Sequence, residues 1–156
     1  MERRALKHLL TVGVLVTAVG CDGKSPTQPS APTSFLVGTW RGTITVQPRD
    51  AAASSAPTTW TFEVVPQTNQ QTFRATIRSE HPWLPTAIDG NAAIAPTSTP
   101  PTTISTTGEY SSPRGCRGTF GSIGPAEATR IETDFHGVDC GGMTFDGRVV
   151  LTKSAS

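Results

Sequence analysis

The sequence is short of charge, of aromatic residues and of long apolar runs. Only 16% of its 156 residues are Asp, Glu, Lys or Arg, and 6% are aromatic, where an average soluble domain is about 25% charged. Helical bundles and coiled coils draw heavily on Glu, Lys, Leu and Ala, so this composition disfavours them. The formal charge is +1, without the clustered basic stripe that nucleic-acid binding requires. The apolar stretch at residues 9–20 is shorter than the roughly 20 residues a bilayer-spanning helix needs. No Gly-x-Ser-x-Gly elbow occurs; Gly121, Ser122, Ile123 and Gly124 have the wrong spacing for one, and no phosphate-binding glycine loop is found. What fills the chain instead is Thr, Ser and Ala, with 15 Gly and 13 Pro. The length suits one domain of ordinary size.

Arg3, Arg4, Lys7 and His8 precede the uncharged run 9–20, which ends in small residues immediately before Cys21. A basic head, a short apolar run and a small-residue ending make a secretory signal, to be excluded from fold reasoning. The ending Ala18-Val19-Gly20-Cys21 resembles the lipobox of bacterial lipoproteins, although Ala18 stands where Leu is commonest. The resemblance implies cleavage before Cys21, with diacylglycerol on its thiol and acylation of its new amino group. An ordinary secretory signal, with Cys21 a bystander, would leave an exposed thiol near the start of a secreted chain. At about 0.8 kcal/mol per buried CH₂, two or three acyl chains hold a protein on a membrane essentially permanently. The expected localisation is therefore the bacterial cell envelope, outside the cytoplasm, with the membrane as a partner through covalent lipid. Without residues 1–20 the chain keeps 10 basic and 11 acidic residues, formally −1.

Residues 21–34 are rich in Pro, Ser and Thr and lack any large apolar side chain. Such a segment buries too little to offset its ordering entropy and reads as a flexible tether. Asp22 resembles the residue that retains enteric lipoproteins at the inner membrane. From 35 to 153 apolar residues recur at every second position, the signature of half-buried strands. Trp40, Gly42, Ile44 and Val46 share one face; Trp60, Phe62 and Val64 another; then come Phe73, Ala75 and Ile77. Ile104, Thr106 and Tyr110 follow, then Cys116, Gly118 and Phe120, then Ile131, Thr133 and Phe135, and finally Met143, Phe145, Val149 and Leu151. Breaks rich in Pro, Gly, Asn or Ser at 66–69, 111–113 and 139–142 separate them. With an eighth strand around 85–95, the expected fold is all-β: an antiparallel up-and-down meander of about eight strands, closed or nearly closed. Residues 154–156 form a tail.

Gly38-Thr39-Trp40 at the head of the first strand resembles the Gly-x-Trp signature of lipocalins and related calycin barrels. There the Trp closes one end of an eight-stranded barrel and a basic residue near the last strand packs over it. The resemblance makes Arg148 the candidate for that residue; a Trp packed in any small β core is the alternative.

Setting Cys21 aside for lipid leaves Cys116 and Cys140, which an oxidising compartment would join. Metal binding is the rival reading, but neither Cys-x-x-Cys nor a suitably spaced His is present. Arg130, Glu132, Asp134 and His136 alternate onto one face of a strand. Carboxylates beside a histidine suit acid–base chemistry or a divalent ion, while the apolar residues between them point to an outward, solvated row. The segment His81-Pro82-Trp83-Leu84-Pro85 sets a large aromatic in a small-residue connection, as a lid over the barrel mouth or as a plug. The inward faces carry Trp40, Trp60, Phe62, Phe73, Tyr110, Phe120, Phe135 and Phe145, which line either an apolar pocket or a packed core, because eight strands sit at the boundary between the two. The expected protein is non-catalytic, without cofactor, metal or nucleic-acid partner. It binds a small apolar molecule or an envelope protein; a purely structural or interaction barrel with a filled core is the alternative, and a hydrolase or metal-dependent enzyme a remoter one.

Overall fold

Alternation translates into strands wherever the sequence sustains it. The computed structural model describes residues 35–65, 71–95 and 101–155; the signal at 1–20, the lipidation site Cys21, the tether to 34 and the break at 66–69 lie outside them. The strands are β1 (Gly38–Pro48), β2 (Ser54–Val64), β3 (Thr72–Ser79), β4 (Ile88–Ile94), β5 (Thr102–Ser111), β6 (Arg117–Ala126), β7 (Arg130–Val138) and β8 (Thr144–Lys153). Each pairs antiparallel with its successor, and β8 returns to β1, with Trp40 opposite Lys153 and Ile44 opposite Val149. The eight-stranded meander is a closed barrel, so every strand has two neighbours and no edge is left to template association. The eighth strand is β4, whose inward positions are Ile88, Gly90, Ala92 and Ile94, the middle two of them small.

Inward positions form one continuous core from Leu36 to Leu151. Val64, expected on the inward face, is instead 61% exposed. β1 begins its pairing with β2 at Gly38 opposite Phe62, so Val64 runs past the end of that neighbour and has no core beneath it. Met143 likewise precedes β8, immediately after the 3-10 turn Cys140–Gly142, and is only half-buried.

Each end of the barrel is stoppered by residues outside the regular strands. At the end where β1 begins, Leu36 is fully buried and its carbonyl accepts a 2.8 Å hydrogen bond from Trp40 Nε1. The cation over the Trp40 ring is Lys153, with Nζ 5.5 Å from the centroid, and its ammonium also donates to the Phe35 carbonyl. Arg148, the expected candidate, instead lies on the outer wall and pairs with Glu132. Parity decides between them: Phe145, Val149, Leu151 and Lys153 share the inward set, and Arg148 belongs to the alternate one.

Candidate functional site at the plugged mouth

Down the barrel axis the inward aromatics touch in sequence. Phe62, Trp60, Phe120, Phe135, Phe145 and Trp83 form a chain of rings with successive centroids 5.1 to 6.1 Å apart, and Tyr110 joins at Phe145 at 6.4 Å. Tilted and offset contacts of this kind add about 0.5–1.5 kcal/mol each beyond area burial. Three of the rings stand over glycines of the adjoining strand: Tyr110 opposite Gly118, Phe135 opposite Gly147 and Phe145 opposite Gly137. A Cβ at Gly118, Gly137 or Gly147 would fall within 2.3 Å of the facing ring, so the missing side chain is the space the ring occupies. Trp40, Trp60, Phe62, Phe73, Tyr110, Phe120, Phe135 and Phe145 are all at most 4% exposed. These residues line a packed core.

That core contains polar atoms with no partner among the described residues: Trp60 Nε1, the hydroxyls of Thr106, Ser122 and Thr133, and the Tyr110 phenol. Burial first, and the field of Asp139 second, push the Tyr110 phenol up to about 12, so it stays neutral at physiological pH.

The second stopper is the β3–β4 connection. Leu84 is fully buried, and Trp83, half-exposed, packs its ring on Phe145 at 5.6 Å. His81 is not a rim residue; it is 1% exposed. Its Nε2 lies 2.8 Å from Ser54 Oγ, and its Nδ1 accepts from the backbone N–H of Trp83 at 3.2 Å. An N–H donating to Nδ1 requires that nitrogen to be unprotonated, which fixes a neutral Nε2–H imidazole donating to Ser54. Desolvation lowers its pKa from the ordinary value, opposed by the Ser54 hydrogen bond. His81 and Trp83 thus form a plug in which the histidine fixes the backbone of the tryptophan.

Across the same mouth, Cys116 and Cys140 are disulfide-bonded with Cα atoms 5.7 Å apart, joining the β5–β6 and β7–β8 connections. Buried Asp139 lies beside them, its carboxylate 3.8 Å from the Cys116 sulfur. Two sulfurs and a carboxylate within 4.8 Å of one another would suit a thiophilic cation, but metal binding needs thiolates and here the sulfurs are bonded to each other.

Between these loops and the β1–β2 turn lies an open depression of about 330 Å³, lined by Arg49, Asp50, Trp83, Arg114, Gly141 and Met143 among others. The Arg114 guanidinium sits 5.6 Å from the Trp83 centroid and its Nη1 approaches Met143 Sδ at 2.9 Å. A shallower hollow of about 640 Å³ lies on the outer wall along Gly90, Gly108 and Gly121, between Asp89, Glu109 and His136.

The expected polar row points outward into water. Glu132 receives Arg130 at 2.9 Å and also Arg148, while His136 Nδ1 meets Asp146 at 2.7 Å with both side chains more than half exposed. Solvated pairs of this kind are worth about 0–1 kcal/mol each. Asp134 is exposed as well, so the row does not converge on an enclosed reaction centre.

No protein-family model matches the chain, and no curated protein matches it significantly. Among solved structures it is similar to EF1p2_mFAP2b bound to DFHBI, with a TM-score of 0.54 at 17% identity over 80% of this chain and 98% of the other. It is also similar to the redesigned β barrel b11L5F_LGL, with a TM-score of 0.49 at 18% identity over 79% and 95% of the two chains. At 17% identity the likeness to EF1p2_mFAP2b speaks to fold alone, and the strand pairing shows the barrel directly.

Leu36, Leu84, Lys153, Arg49 and Arg114 were not singled out by sequence reasoning. Leu36 lies between Phe35 and Val37 and Leu84 beside Trp83, in short apolar clusters whose sequence carries no period-two alternation to say which residue is buried. Lys153 could have been found by extending the parity of β8. The two arginines become neighbours of one depression only through the pairing order, which brings four separate connections to one mouth.

Proposed function

We propose that the chain is a bacterial lipoprotein of the cell envelope, held by lipid on Cys21 and using its barrel as a non-catalytic recognition module. The observation that carries this reading is the polarity of the barrel. The chain enters at the end stoppered by Leu36 and Trp40, while the depression over Trp83 is built from connections at the other end. Attachment through Cys21 comes from the side on which the chain enters β1, which makes the mouth over Trp83 the end opposite the point of attachment. The ligand or envelope partner is then met at the mouth, because the interior is occupied by the ring column. The barrel bound to DFHBI is a precedent for small-molecule binding by this fold. A barrel serving only as a rigid spacer is the second reading, favoured by the same filled core.

Intact mass of protein extracted from membranes tests the anchor. Acyl additions that disappear in Cys21→Ser, together with release of that variant from the membrane fraction, are expected. An unmodified mature chain in the membrane fraction defeats the proposal. For the mouth, a photocrosslinker at position 49 should capture a partner or ligand that a crosslinker at outer-wall position 74 does not; equal capture at both positions favours the spacer.

A further inference from the structure

The depression over Trp83 has a chemistry of its own. Its lining joins an aromatic ring and a thioether, Trp83 and Met143, to two arginines, Arg49 and Arg114. Guanidinium presents five donors in a planar fork suited to carboxylate or phosphate. In this protein neither fork is taken up by a carboxylate. Among the described residues Arg49 has no ion-pair or hydrogen-bond partner, and the acceptor that Arg114 meets with its side chain is the sulfur of Met143. A thioether is a weak acceptor, so most of that donor capacity is not taken up by a strong acceptor among the described residues. The single carboxylate in the lining, Asp50, leaves the two cations in excess. The Arg114 guanidinium over the Trp83 ring, 5.6 Å from its centroid, places a delocalised cation against the aromatic part of the lining.

We propose that this depression is a binding site for an organic anion with a flat apolar body, an aromatic carboxylate being its simplest form. The ring of such a ligand stacks on Trp83 and Met143, displacing or sandwiching against the Arg114 plane, while its carboxylate takes paired N–H donors from Arg114 and Arg49. The volume, about 330 Å³, lies at the small end of ligand sites, which run from roughly 300 to 1,000 Å³. That suits a ligand of one or two fused rings. The inference deepens the reading of the mouth as the recognition surface and rests on it, but not on the lipid anchor.

The test is an NMR titration of the purified protein with 2-naphthoate and, separately, with the neutral isostere 2-naphthalenemethanol. Saturable binding of naphthoate at least about tenfold tighter than the alcohol is expected, weakening as salt is raised. Arg114→Ala and Arg49→Ala should each lower naphthoate affinity severalfold with little change for the alcohol, and Arg114→Lys should recover part of the loss by keeping the charge. Each variant is checked for an unchanged backbone spectrum outside the mouth. Equal affinity for the two probes, or no saturable naphthoate binding by the wild-type protein, overturns the anion site. Partner capture at position 49 alongside absent naphthoate binding would leave the mouth as a surface for a different partner, so the two failures can be told apart.

Discussion

Replacing Gly137 by Ala adds one methyl group and should cost more than its size suggests. An ideal Cβ there lies 2.0 Å from Phe145 Cζ and 2.3 and 2.6 Å from its two Cε atoms. The ring has nowhere to retreat: Phe145 is 1% exposed and is flanked by Trp83, Tyr110 and Phe135. Moving it disturbs the ring column and the plug together. Overpacking of this kind costs about 1–3 kcal/mol, and for a folded region of this size about 2 kcal/mol lowers Tm by roughly 8 °C. Gly121→Ala is the control. A Cβ at Gly121 meets nothing within 4 Å, so Ala there should be neutral or stabilise by up to about 0.5–1 kcal/mol through the unfolded chain. Thermal melts and urea unfolding of both variants, with near-ultraviolet circular dichroism to follow the aromatic packing, provide the comparison. If Gly137→Ala melts where Gly121→Ala does and keeps the same aromatic signal, the barrel interior is not filled in the way described.

Three further outcomes are expected. Because burial depresses the folded-state pKa of His81, the unfolded chain takes up its proton first as pH falls; stability is full above about pH 6.5 and declines as pH drops from there towards the lowered folded value, where the loss levels off. Tm measured across that window should show this slope in the wild type and a smaller one in His81→Gln, whereas identical slopes would remove the histidine from the plug's energetics. Opening the Cys116–Cys140 bridge, which spans 24 residues of sequence, should cost about 3.5 kcal/mol on the chain-entropy account; both thiols should resist labelling in denaturant until reductant is added, and immediate labelling would show there is no bridge to open. Thr133→Val removes a buried hydroxyl that has no partner among the described residues at nearly constant volume, so it should raise stability by about 1 kcal/mol, and a lower urea midpoint would mean that the hydroxyl is satisfied in solution.

How far the sequence could be read follows from what kind of signal each feature leaves. Period-two alternation in the segments around Trp40, Trp60, Phe73 and Phe135 is a local property, and it marks strands and their inward faces without knowledge of neighbours. β4 was faint because Gly90 and Ala92 are inward positions filled by small residues, which give little hydropathy contrast. The stoppers were harder, because Leu36 and Leu84 are set among loop residues and their burial depends on which barrel end they reach. Val64 obeyed its parity and still came out exposed, since strand ends are fixed by the length of the partner and not by the strand's own sequence. The pairing of rings with glycines needed register: Phe145 and Gly137 are near in sequence, yet nothing in their types says that one stands over the other. The same holds for Arg49 and Arg114, 65 positions apart, whose shared depression exists only once the meander has closed.

The barrel interior is filled by its own rings, and the proposed site of recognition lies outside it, over Trp83. Mapping backbone and methyl chemical shifts during a 2-naphthoate titration addresses this most directly. Shifts confined to the Trp83 indole and to Arg49, Arg114, Gly141, Gly142 and Met143, with the methyls of Ile104, Ile131 and Val149 unmoved, are the predicted result. Large shifts of those deep methyls, with the mouth residues unaffected, would mean that the barrel opens to take the ligand inside and would contradict it.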